Sequence, residues 1–289
     1  MASIGTPLSL YSAYRSINVP LFGSHMLLGL DVHEYRNNEL GAGYSTAAGL
    51  VAYEKLKGKI KSYGDKIGLD KYWVYYPLHT AGERKKDPGQ AITDYLEINI
   101  GFPLYNVFVG KGSPDNIAKA VQLAVAFGLI EGTLSAMQKY CDANIGIDCS
   151  GFASNYFGLD SKAICNLGAS KMAPPDKRVS KLEDVRAGTA IVFKSGKHVA
   201  LVDEIRQIDR TDNGIFYAMN CMVAESTADK MVEGGPDDGL NYTEYVLLVT
   251  NNKADPSLFK ILRPLHKAST GIYGVDVHLA NWPVYDLWD

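Results

Sequence analysis

The chain has 289 residues, enough for one large domain or for a catalytic domain with a sizeable extension. Hydrophobic residues make up 46% and charged residues 21%, the balance of a folded globular protein, which excludes fibrous, low-complexity and disordered classes. With 29 Lys+Arg against 32 Asp+Glu, the formal charge of −3 supplies no single-signed field to recruit nucleic acid or an acidic membrane, so partners must be recognised locally.

Residues 1–20 contain Arg15 as their only basic residue and are broken by Ser, Thr and Tyr, so no general export signal is expected. Residues 1–43 mix aromatics, Gly, Pro and Asn without periodicity and are expected as loops and short elements. Residues 45–63 place Ala47, Leu50, Val51, Tyr53, Leu56, Ile60 and Tyr63 at mostly helical spacing, predicting an amphipathic helix. A strand is expected over 72–78 and a charged loop over 82–89, where Arg84, Lys85 and Lys86 read as solvated surface.

Ser113-Pro114 couples a hydroxyl cap to a proline at the first helical position, predicting a helix over 114–127, and a second helix is expected over 133–143. The longest apolar run, 121–130, is interrupted by Gln122 and Gly128 and falls short of the roughly 20 residues that span a bilayer, so no membrane span is expected. Beyond it, 189–193, 198–205, 215–220, 222–226, 245–251 and 258–263 are short β-rich runs separated by turn formers, which predict a sheet. Residues 234–239 form a turn-rich loop, and the tail from Trp282 to Trp288 has aromatics without pattern. The division suggested is a partly helical N-terminal extension over 1–112 and a catalytic domain over 113–289.

The four cysteines, Cys141, Cys149, Cys165 and Cys221, are irregularly spaced and lack a C-x-x-C pair, so free thiols made in a reducing cytoplasm are expected. Cys149 stands in Asp148-Cys149-Ser150-Gly151-Phe152, just after the helix-breaking residues 144–147. A helix N-terminus and a nearby imidazolium are two ways to activate a thiol, and Cys149 has the setting for the first. Gly151 would allow close approach, and Ser150 would serve local backbone donors as a helix over 152–157 begins. The competing reading of Cys149 is a small buried hydrophobe. His198 follows a Ser195-Gly196 turn and opens His198-Val199-Ala200-Leu201-Val202, a place for a base at a sheet edge or for an ordinary strand histidine.

Asp148 to Phe152, the Leu182, Gly188, Val192 and Phe193 pattern, and His198 to Val202 together resemble the NlpC/P60 family of papain-like cysteine peptidases over about residues 113–264. There are departures. Only Tyr140 lies upstream of the cysteine, with no Trp-Gly-Gly segment, Ala187-Gly188-Thr189 replaces the usual Pro-Gly-Asp, and the stretch after His198 is long. The resemblance implies an α+β papain-like fold, helices packed on an antiparallel sheet. It implies a cysteine peptidase or amidase, a hydrolase cleaving peptidoglycan stem peptides, with Cys149 as nucleophile and His198 as base.

A third residue must accept a hydrogen bond from the other imidazole nitrogen, and Glu225 and Asn220 are the candidates. They differ in strand parity, so at most one should face His198, and relatives with an acid in a similar context favour Glu225. The alternatives kept open are a papain-like deamidase, transglutaminase or acyltransferase, or a binding module without turnover. Without an export signal, a cell-wall enzyme of this kind would reach its target by a specialised route, as an antibacterial effector (a toxin held in check by an immunity protein) or a lysis enzyme.

His25, His33, His79, His266 and His278 form no metal-binding spacing, so no metal is expected. Gly110-Lys111-Gly112 lacks a full phosphate-binding pattern and reads as a glycine turn, so no nucleotide cofactor is expected. The sequon Asn241-Tyr242-Thr243 carries nothing without export.

Overall fold

A computed structural model describes residues 5–20, 27–36, 47–66, 101–159, 163–164, 167–210, 216–228, 239–250, 252, 254–263 and 273–282. The expected strand at 72–78, the loop at 82–89 with Arg84, Lys85 and Lys86, most of the 234–239 loop, the tail beyond Trp282, and Cys165, His25, His79 and His266 lie outside these residues.

Order begins earlier than the sequence pattern suggests. Helix α1 (Pro7–Tyr14) starts at Thr6, whose side chain accepts from Ser9 N, with proline at its first position. Strands β1 (Ile17–Pro20) and β2 (Leu27–Leu30) pair antiparallel with Ile17 opposite Leu30. Helix α2 (Ala47–Lys66) buries Ala52, Tyr53, Leu56 and Ile60, whereas Val51 and Tyr63, expected on the packed face, are 50% and 54% exposed. Helix α3 (Phe102–Phe108) precedes α4 (Pro114–Ala126) and α5 (Leu134–Asn144), whose caps are Ser113 and Thr133. Helix α6 (Cys149–Tyr156) starts three residues before the expected 152, because Asp148 rather than Ser150 caps it.

The C-terminal half forms β3 (Ala190–Phe193), β4 (Val199–Arg210), β5 (Phe216–Thr227), β6 (Gly239–Val249), β7 (Leu258–Arg263) and β8 (Tyr273–Ala280). The runs 215–220 and 222–226 are parts of one strand, β5, continuous in its pairing with β6 from Ala218 to Thr227. Each strand pairs antiparallel with the next, and β8 returns to pair with β3 (Ile191 opposite Leu279), so the six strands close into a barrel.

This corrects the expected fold class. A papain-like NlpC/P60 arrangement of helices on an antiparallel sheet is replaced by a closed six-stranded barrel with helices against its wall. The physical reason lies in β8, which sequence reading left unassigned. Its Val275, Val277 and Leu279 supply the alternation that pairs both free edges, and closure removes the unpaired N–H and C=O groups an open sheet would leave at its rim.

Strand parity divides the core in two. Ile191, Val202, Val223, Tyr245, Ile261 and Leu279 fill the barrel interior. Val192, Leu201 and Ala224 point outward into a second cluster with Leu10, Tyr14, Leu56, Val107, Ile117 and Phe152, so residues on either side of position 112 share that core. This packing sets α6 against β4 and β5.

Candidate functional site

The start of α6 is held by backbone from several segments. Asp148 N donates to Gly110 O at 2.7 Å, Ile147 N donates to Glu34 O at 2.9 Å, and Ser226 Oγ donates to Ile147 O at 2.6 Å. The Asp148 carboxylate accepts from Gly151 N–H, satisfying one orphan backbone donor of the first turn, and at 2.9 Å from the Ser150 hydroxyl. Gly151 is needed for contact: a Cβ there would run into the Gly110 carbonyl and the Lys111 backbone. Gly151→Ala is therefore expected to lower stability by about 1–3 kcal/mol in urea unfolding, the cost of overpacking against backbone. Gly168→Ala, where a Cβ meets nothing within 4 Å, is the control and should stay near wild type.

Cys149 opens the helix at 5% exposure, against 1% for Cys141 and 0% for Cys221, so of these three thiols it is the one nearest solvent. Its Sγ lies 4.0 Å from Lys197 O, the carbonyl of the residue that precedes His198. The second imidazole nitrogen of His198, Nε2, lies 2.5 Å from Glu225 Oε2. Behind Glu225 sits Arg263, 1% exposed, whose Nη2 donates to both Glu225 oxygens at 3.2 Å and whose Nε donates to Tyr245 Oη at 2.9 Å. Tyr245 Oη in turn donates to Glu225 Oε1. The Phe193 ring packs edge-on against His198 at 4.8 Å between centroids, and the Arg263 guanidinium lies 4.8 Å from the centroid of that ring.

Asn220, the other candidate, falls on the opposite parity of β5, and its Nδ2 donates to Glu244 Oε1 at 3.1 Å. The structure thus gathers Cys149, His198 and Glu225 and leaves Asn220 apart. Arg263 and Tyr245 were not singled out as site residues. The signal for Arg263 was available: it follows Phe259 and Ile261 at inward-facing parity, where a cation needs a buried anion. Lys111, dismissed with its glycine turn, is also buried, its Nζ donating to Leu167 O at 2.9 Å and to Ser150 Oγ at 3.1 Å, with Asp148 Oδ2 at 3.8 Å. No spacing pattern marks it, since its partners come from distant segments.

Burial opposes charge on His198, but the Glu225 carboxylate and the Cys149 hydrogen bond outweigh it and hold its pKa up at about 9. Burial likewise opposes charge on Glu225, and Arg263 and His198 override it, lowering that pKa to about 2. Burial pushes Cys141 and Cys221 up to about 12.

The two shifts define a pH window for stability. His198 is raised from 6.5, so its contribution is complete below about 6.5 and is lost as pH rises through about 9. Glu225 is lowered from 4.5, so its contribution is complete above about 4.5 and is lost as pH falls through about 2. Melting temperature should hold a plateau between these limits and fall on both sides, and Glu225→Gln should flatten the alkaline limb. An alkaline limb unchanged in that variant would show that His198 is not the group responsible.

Among the described residues no group of three or more His, Cys, Asp or Glu has the arrangement to hold a metal ion. No protein-family model matches the sequence, and searches of curated proteins and of solved structures return no significant match. With the closed barrel, this corrects the identification drawn from the short motifs. Assignment to the NlpC/P60 family lacks a matching fold and a family match, and the implied peptidase or amidase of peptidoglycan, with its roles as effector, toxin or lysis enzyme, falls with it. Motifs of a few residues set local geometry, a helix start and a strand start, which unrelated folds can share.

Proposed function

We propose that the protein uses Cys149 as a covalent nucleophile toward an electrophilic carbon of a ligand. The observation that carries this is the placement of Cys149 Sγ 4.0 Å from the carbonyl of Lys197, directly before His198, whose Nε2 lies 2.5 Å from Glu225 Oε2. In the step, His198 and the Cys149 sulfur share one proton held on the ring: Sγ bonds to the carbon, the bond to the leaving group breaks, and the imidazolium gives its proton to that group. Glu225 orients the ring and balances its positive charge, while Arg263 and Tyr245 keep Glu225 ionised and in place. The chemistry requires neither the family resemblance nor a cell-wall substrate.

Alkylation tests it. Iodoacetamide reacts by forming the S–C bond as iodide leaves, and peptide mass spectrometry locates the adduct. Cys149 should be carbamidomethylated ahead of Cys141 and Cys221, whose thiols burial pushes up to about 12. Equal, slow labelling of all three would remove the proposal.

A further inference from the structure

We infer that the electrophile taken by Cys149 is anionic, with its negative group beside the reacting carbon; this names a substrate class for the covalent-thiol function above and rests on it. The turn between β3 and β4 carries two exposed lysines, Lys194 and Lys197. Gly196 builds that turn: its N–H donates to Phe193 O at 2.7 Å, and its φ of 70° is the left-handed conformation that favours glycine. Phe193 N donates to His198 O at 3.0 Å and closes the hairpin. A Cβ at Gly196 would lie 2.9 Å from Ser170 Cβ, so the turn rests directly against the 3-10 turn Ala169–Met172. Strand pairing and this contact together fix where the two lysines stand.

Lys197 is the residue whose carbonyl lies 4.0 Å from Cys149 Sγ, so its side chain springs from the backbone that touches the sulfur. Lys194 stands three residues before it on the same turn. Neither lysine forms an ion pair among the described residues. Asp276, whose carbonyl accepts from Lys194 N at 2.9 Å, does not bring its carboxylate to that ammonium. The carboxylates of the site itself are buried and engaged, Asp148 in capping α6 and Glu225 with His198 and Arg263. The two lysines therefore give the approach to the thiol a positive rim. Such a rim raises the local concentration of anions, and an ammonium on a flexible four-carbon stem can follow a small anion without demanding one fixed orientation. A neutral electrophile gains nothing from it.

Two probes with the same leaving group test this, iodoacetate with a carboxylate beside the reacting carbon and iodoacetamide with a neutral amide there. In both reactions the S–C bond forms, iodide leaves, and the proton shared with His198 goes to solvent. Both meet the same sulfur, so the ratio of their rates at Cys149 cancels whatever sets the reactivity of the thiol itself. In the full chain at low ionic strength, with the adducts located by peptide mass spectrometry, Lys197→Gln should lower the iodoacetate-to-iodoacetamide ratio by about threefold and Lys194→Gln/Lys197→Gln by about tenfold. Raising the salt to about 1 M should bring the wild-type ratio down to that of the double variant. Lys55→Gln, at an exposed position of α2, controls for net charge and should leave the ratio unchanged. A ratio that is the same in wild type and the double variant, or that falls as far in Lys55→Gln, would overturn the anionic substrate while leaving the thiol function standing. Wild-type protein in which iodoacetamide shows no preference for Cys149 over Cys141 and Cys221 would instead overturn the covalent-thiol function itself.

Discussion

Arg263→Met is expected to destabilise the protein by about 3–5 kcal/mol, a fall in melting temperature on the order of 10 °C. Methionine keeps much of the volume and removes the charge. The Glu225 carboxylate would then keep Tyr245 Oη and His198 but lose both 3.2 Å contacts to the guanidinium, in a place where water cannot replace them. The cation that faces the Phe193 ring would go as well. Most of the loss reflects a buried carboxylate deprived of one of its two cationic partners, so Glu225→Gln/Arg263→Met should recover a large part of it. Urea unfolding of the three variants decides the matter. A double variant no more stable than Arg263→Met would mean that the guanidinium acts through packing.

His198→Ala should slow alkylation of Cys149 at pH 6.5 by about a hundredfold, the low end of what a positioned acid–base group contributes. Glu225→Gln should give a smaller loss of about tenfold, since a neutral amide can still orient the ring but cannot balance its charge. Comparable rates in wild type and His198→Ala at pH 6.5 would show that the ring does not activate the sulfur.

The two short motifs were informative about places and misleading about kinship. Asp148-Cys149 does open a helix, and His198 does stand at the head of a strand after a tight turn. Those features follow from local capping and turn chemistry. The step from them to a papain-like peptidase needed the global topology, and there the missed strand β8 proved decisive. Its polar residues Asp276 and His278 obscured an alternation that becomes evident only when β3 and β7 are placed on either side.

The amino-acid sequence by itself determined the helices that begin at Ser113 and Thr133, several of the strands, and the parity that separates Glu225 from Asn220, because each depends on residues a few positions apart. Tertiary structure alone decided barrel closure, the burial of Lys111 beside Asp148, and the clustering of Arg263 and Tyr245 behind Glu225. Charges belonging to distant segments find one another only after the chain has closed around them. Their pairing is a response to low dielectric and exclusion of water, conditions that no local pattern of residues encodes.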